Sequence, residues 1–152
     1  MINLIPLSAD DDESLYRNLW DFEPIEDSIE IGGHTLDVKE TLFNAIISGR
    51  IEVTLMTDSD NKPIAYFGVT PLRLGVGEIW LSRGFGFDKN AKAAVKAGRD
   101  LGDRLLENGY FRVEMAVLPE WGKWANAIGF RFEHICEKYD GVNDHMIYTR
   151  IK

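Results

Sequence analysis

The stretch Lys89–Glu133, KNAKAAVKAGRDLGDRLLENGYFRVEMAVLPEWGKWANAIGFRFE, decides the reading of the fold because its hydrophobic period changes several times. Ala91, Ala94, Val95, Gly98, Leu101, Gly102, Leu105 and Leu106 recur at helical spacing, which predicts one long amphipathic helix over Lys89 to Glu107, ended by Gly109. FRVEMAVLP (111–119) then reads as a strand, Glu120 to Ile128 as a short helix carrying Trp121 and Trp124, and FRFEHICEKY (130–139) as the next strand. Gly98 and Gly102 sit on the apolar stripe one turn apart. Each costs roughly 1 kcal/mol of helix propensity against Ala, so close packing on a sheet is the expected return.

The rest of the chain extends this pattern on both sides. Upstream, IEVTLMT (51–57), IAYFGVTPL (64–72) and VGEIWLS (76–82) form a predicted antiparallel meander around a DSDNKP turn and a Gly-marked turn. Val38 to Ser48 reads as a helix stopped by Gly49, and Phe22 to Leu36 as a loop with Pro24 and the Gly32-Gly33 pair. Ser8 is placed to cap a helix through SADDDESLYRNLW, with Asp11 three residues on, and Ile2 to Leu7 is a short strand. Asp10 to Glu13 complement the dipole of that first turn, a commoner role for such a run than metal binding. Downstream, a DG turn and HMIYTRI (145–151) close a hairpin. The order β-α-α-β-β-β-α-β-α-β-β predicts an α+β fold, a mixed and mostly antiparallel sheet flanked by helices, as a single domain over 1–152.

Composition narrows the function classes. With 152 residues, 45% hydrophobic content and four Trp, the chain can bury a real core. A net charge of -8 opposes a general nucleic-acid-binding surface, which needs clustered cations. One cysteine, Cys136, forms no intrachain disulfide and fits a reducing compartment. MINLIPLSADDDE turns acidic without a basic region, and no apolar run approaches the roughly 20 residues of a membrane span. The expected location is a cytoplasm, or a virion packaged from one. His134 and Cys136 alternate onto one strand face, but with no second pair of ligands no metal is expected.

The element order, and above all the ending of long helix, Gly109, FRVEMAV, short helix and AIGF before FRFE, resembles the Gcn5-related N-acetyltransferase superfamily over nearly the whole chain. The resemblance implies acetyl-CoA held in a gap between the fourth and fifth strands, with an amine or protein acceptor. Backbone amides at the start of the long helix would bind its pyrophosphate within a pattern R/Q-x-x-G-x-G/A, as orphan amides and the helix dipole favour anions. RGFGF (83–87) is a tempting match. Counting back about four and a half turns from Gly109 places the end of the pattern on Ala93 instead. The matching segment is then DKNAKA (88–93), with Asp88 in the Arg/Gln position and Ala91 in that of the first Gly. RGFGF falls at the exit of the fourth strand, where the family pairs backbone with the pantetheine arm. The implied cofactor contacts are Leu81 and Arg83 at that exit and Ala91, Lys92 and Ala93 at the helix start.

Asp88 reads as an N-cap and also as a carboxylate opposing a pyrophosphate. Lys89, Lys92, Lys96 and Arg99 oppose the helix dipole, explained either by a bound polyphosphate or by a solvated face with Lys96–Asp100 and Arg99–Asp103 pairs. The family's usual Tyr acid corresponds to Ala125, beside Trp124, so that route to protonating the departing thiolate is missing. Glu78, on the fourth strand, is the candidate base, acting on an amine through water. Nothing in the sequence selects among Tyr139, Tyr148 and Cys136 as its neighbours. The spacing from Trp80 through Ala91 to the AIG ending at Gly129 is also similar to small internal virion proteins of short-tailed phages. That second resemblance implies a non-catalytic descendant of the fold with a virion or host protein partner. An open strand edge at the gap could alternatively take a peptide by strand addition.

Overall fold

Six consecutive buried residues, Ile64 to Val69, make β5 (Pro63–Arg73) a strand covered on both faces. The computed structural model describes residues 2–7, 28–31, 34–37, 44–84 and 86–152. Its larger sheet has seven strands in the order β1-β4-β5-β6-β7-β9-β8, and a separate two-stranded sheet pairs β2 with β3. By compactness the chain divides into residues 1–68 with 81–89, and residues 69–80 with 90–152. The fold class is the predicted one, an α+β arrangement with a mixed, mostly antiparallel sheet and helices.

In the first unit β1 (Asn3–Pro6) runs antiparallel to β4 (Glu52–Thr57), with Ile5 opposite Leu55. Val53, Leu55, Met56, Ile64, Ala65, Tyr66 and Phe67 are its buried apolar residues from β4 and β5. The stretch expected as a loop holds a hairpin instead, β2 (Ser28–Ile31) against β3 (His34–Asp37), with Ser28 opposite Asp37. The signal was present: two alternating runs flank Gly-Gly, the composition of a two-residue hairpin turn. Of the predicted helix Val38–Ser48, residues 44–47 are helical, while the helix predicted through SADDDESLYRNLW lies outside the described residues.

The second unit begins with the end of β5 and the start of β6 (Val76–Arg83). It continues with α1 (Ala91–Glu107), β7 (Arg112–Val117), a 3-10 turn at Pro119–Trp121 and α2 (Gly122–Ala127). The hairpin of β8 (Arg131–Cys136) and β9 (His145–Ile151) ends it. β9 lies between β7 and β8, antiparallel to both, with Met115 opposite Tyr148 and Phe132 opposite the same Tyr148. β6 and β7 are parallel, the relation that α1 makes possible as the crossover between them. Their register is fixed at one end by the Gly75 carbonyl, which accepts both Phe111 N–H at 2.9 Å and Arg112 N–H at 3.3 Å. Gly75 has φ +72°, left-handed backbone that closes the β5–β6 turn without strain.

α1 buries Ala94, Ala97, Gly98, Leu101, Gly102, Leu105 and Leu106, close to the predicted stripe. Its two glycines do permit close packing, though against side chains. A Cβ on Gly98 would lie 3.0 Å from Ile128 Cγ2, and one on Gly102 would lie 3.0 Å from Arg150 Nη1. Arg150 also bridges to the Asp103 carboxylate and donates to Arg99 O at 3.4 Å. Gly98→Leu should therefore overpack α1 against Ile128 and lower stability by about 1–3 kcal/mol. Chemical denaturation checks this, and an unchanged midpoint would contradict the packing.

Candidate functional site

The parallel ladder of β6 and β7 has three rungs, Val76–Arg112, Gly77–Val113 and Glu78–Glu114. β6 runs on to Arg83 and β7 to Val117, yet among the described residues no further rung joins them. The last rung opposes two carboxylates on one face, an arrangement that repels. The two are compensated differently.

Glu114 is held by cations. Arg112 Nε lies 2.6 Å from its Oε1 and Arg73 Nη2 3.6 Å from the same oxygen. Arg112 also reaches across β9, its Nη2 donating to Glu133 Oε2 on β8 at 2.6 Å. Glu78 is met by a hydroxyl. Tyr139 Oη donates toward both carboxylate oxygens, 3.2 Å from Oε1 and 3.1 Å from Oε2. Tyr139 comes from the β8–β9 turn and its ring centre lies 5.0 Å from that of His145. Within that turn Asp140 Oδ1 accepts from Val142 N at 2.9 Å and Asn143 N at 2.6 Å, and Asp144 Oδ1 accepts from Lys138 N at 2.9 Å. The bonds from Asn143 and Val142 depress the Asp140 carboxyl to about 2.

Burial raises the Glu78 pKa above its ordinary value; the Tyr139 hydrogen bond opposes this, the Glu114 charge adds to it, and His145 offsets it slightly. Tyr139 is pushed up to about 12, by burial first and then by the Glu78 charge and hydrogen bond. The phenol therefore stays protonated and donating, while Glu78 is a stronger base than an exposed glutamate. Perturbed groups of this kind concentrate at functional sites.

The predicted cofactor residues are placed as follows. RGFGF ends β6: Gly84 N donates to Ile64 O at 2.6 Å, Phe87 N donates to Gly84 O at 3.2 Å, and Phe87 is buried. Leu81 and Arg83 lie on the last residues of β6, in the first unit, and Ala91, Lys92 and Ala93 open α1 in the second. Asp88 is not the N-cap. It opens a 3-10 turn, Asp88–Asn90, which moves the cap to Asn90, whose side chain makes no capping bond to the helix amides. The anticipated ion pairs do not form among the described residues: Arg99 Nε donates to Ala127 O at 2.6 Å, and Asp103 takes Arg150. Lys89, Lys92 and Lys96 are exposed.

On α2, Ala125 is fully buried, and the adjacent Trp124 Nε1 is a buried donor with no acceptor among the described residues. Tyr148, also buried, places its hydroxyl against the Cα of Gly122, where an added Cβ would collide with it. No group of three or more His, Cys, Asp or Glu among the described residues is arranged for a metal ion, and no described helix is long and apolar enough to cross a membrane.

Comparison with solved structures identifies the fold as that of the Gcn5-related N-acetyltransferases. The spermidine/spermine N-acetyltransferase SpeG from Vibrio cholerae superposes with a TM-score of 0.72 at 12% identity, covering 99% of this chain and 92% of that one. A ribosomal-protein-S5-alanine acetyltransferase from Vibrio fischeri gives 0.71 at 15% identity, over 99% and 92% of the two chains. At this identity the likeness is one of fold. No protein-family model matches the sequence, and no curated protein is detectably similar to it.

Two substitutions test the site's electrostatics without reference to any ligand. Tyr139→Phe removes the hydrogen bond to the carboxylate and should raise the Glu78 pKa further, whereas Glu114→Gln removes a repelling charge and should lower it. Carboxyl-carbon NMR titration of Glu78 reads both shifts. Movement in the same direction for both would break the account.

Proposed function

We propose that the chain is an acetyl-CoA-dependent N-acetyltransferase in which Glu78 is the base for an amine acceptor. The observation that carries this reading is the half-buried Glu78 carboxylate on the last β6–β7 rung, with a raised pKa and a protonated Tyr139 hydroxyl on it. The residues present fit the cofactor in two respects. Asn90 makes no side-chain capping bond to the first amides of α1, and a buried Trp124 N–H lacks an acceptor among the described residues. Ala91, Lys92 and Ala93 would hold the pyrophosphate through their amides, with the exposed Lys92 adding charge.

Bound acetyl-CoA supplies an activated thioester carbonyl. The chain's part is to make the amine nucleophilic: a Glu78 oxygen takes its proton, directly or through one water, as the new C–N bond forms and the C–S bond breaks. Tyr139 fixes the orientation of that carboxylate. Ala125 offers no hydroxyl to the departing sulfur, whose proton would then have to come from another donor such as solvent.

A second reading, a non-catalytic member of the fold serving as a virion or host-interaction protein, draws on the same Ala125 and on Asp88 and Ala91 in the phosphate pattern. The two acetyltransferases of the structural comparison lend that phage reading no support.

Titration calorimetry with acetyl-CoA separates the two. Micromolar binding, abolished by Lys92→Glu, is the expected result, and absence of heat and of a thermal shift at millimolar ligand would leave the non-catalytic reading. Glu78→Gln should retain cofactor binding while acetyl transfer to a panel of amines falls roughly 100- to 10,000-fold, the usual range for a general base. Because burial raises the Glu78 pKa, the stability linked to this group is full below the unfolded value and declines as pH rises through the folded one. Glu78→Gln should therefore be at least as stable as the native chain at neutral pH, which a thermal melt checks. Marked destabilisation would recast Glu78 as a structural residue.

A further inference from the structure

The end rung between β8 and β9 joins Arg131 to Thr149, yet β9 runs on through Arg150 and Ile151. On its other side β9 stays paired with β7, Ile151 opposite Arg112, and Lys152 N donates to Phe111 O at 3.1 Å. Successive N–H groups of an antiparallel strand point to alternate sides, so the Lys152 bond toward β7 turns the Ile151 N–H toward the side that β8 has left. A cavity of about 350 Å³ opens there, lined by Gly129, Arg131, Thr149, Arg150 and Ile151.

Two guanidinium groups thus line one small cavity in a chain of net charge -8. They are held differently. Arg150 is built into the fold: it bridges to the Asp103 carboxylate, donates to Arg99 O at 3.4 Å, and lies where two glycines leave room for it. A Cβ at Gly102 would stand 3.0 Å from its Nη1, and one at Gly129 3.5 Å from the same atom. These contacts use only part of the donor set of a guanidinium and fix the direction of the rest. Arg131 is exposed and makes no hydrogen bond or ion pair among the described residues. We propose that this cavity binds the oxyanion of a small molecule, a carboxylate or a phosphate, through Arg131 and the remaining donors of Arg150 and Ile151 N–H. Guanidinium forks suit both groups, and the cavity's size suits a small ligand whose apolar part rests on the exposed Ile151. Gly102 lies roughly 15 Å along α1 from the amides of Ala91 to Ala93, so this anion site is separate from the one assigned to a pyrophosphate.

Amide NMR of the intact chain tests this, with titrations of inorganic phosphate, malonate and chloride at constant ionic strength. Phosphate or malonate should give saturating shifts confined to Gly129, Arg131, Arg150 and Ile151, and the tighter of the two identifies the oxyanion. Chloride should give none. Arg131→Gln, at an exposed position that leaves the fold intact, should weaken the binding about tenfold or more. Arg131→Lys, which keeps the charge without the fork, should restore part of it. Shifts that rise linearly without saturating, that chloride reproduces, or that Arg131→Gln leaves unchanged overturn the proposal.

Discussion

Three rungs of parallel ladder, from Val76–Arg112 to Glu78–Glu114, are the constraint on which the second unit depends. Parallel neighbours cannot be joined by a tight turn, so the chain needs a long crossover, and α1 supplies it. At one end of the ladder a single carbonyl, that of Gly75, ties down two successive amides. At the other end two carboxylates oppose each other. The candidate site lies on that last rung.

The two glutamates of the last rung then acquire different chemistry from their surroundings. Arg112 and Arg73 hold Glu114 as an ion-paired anion, and Arg112 spends its second arm on Glu133, tying β7 to β8 over the intervening strand. Glu78 is met by a neutral hydroxyl, and burial leaves its proton affinity raised. Two identical side chains on adjacent strands thus divide into one held by guanidinium groups and one met by a hydroxyl. The division follows from their surroundings, guanidinium partners at Glu114 and a phenol at Glu78.

Much of this was legible in the chain before folding. The long stripe of α1, the meander and the closing hairpin are all visible from period and glycine punctuation. Glu78 stands out in VGEIWLS as the one charged residue of that run. The β2–β3 hairpin is hard to read from sequence because Gly-Gly between short runs is the composition of loops and of hairpins alike. The shift of the cap from Asp88 to Asn90 has no sign in the sequence, because a 3-10 turn before a helix leaves no separate signature in residue type. Tyr139 could not be selected at all: it lies 61 residues from Glu78, and their meeting follows from a turn and a strand register that only the folded hairpin defines. The same holds for Arg112 and Glu133, which meet only because β9 inserts between their strands.

The contact of Gly122 with the Tyr148 hydroxyl carries a consequence for variation among descendants of this chain. The helix start can come this close to the strand because position 122 lacks a side chain, and the phenol fills the space that a methyl group would occupy. Position 122 is not free to change while the tyrosine stays. A lineage that lost the tyrosine would leave a gap beneath α2 and relax the demand for glycine, whereas one that gained a side chain at 122 would first have to shorten residue 148. The two positions should drift as a pair, and the order of the changes should be the same each time: the strand residue first, the helix residue second.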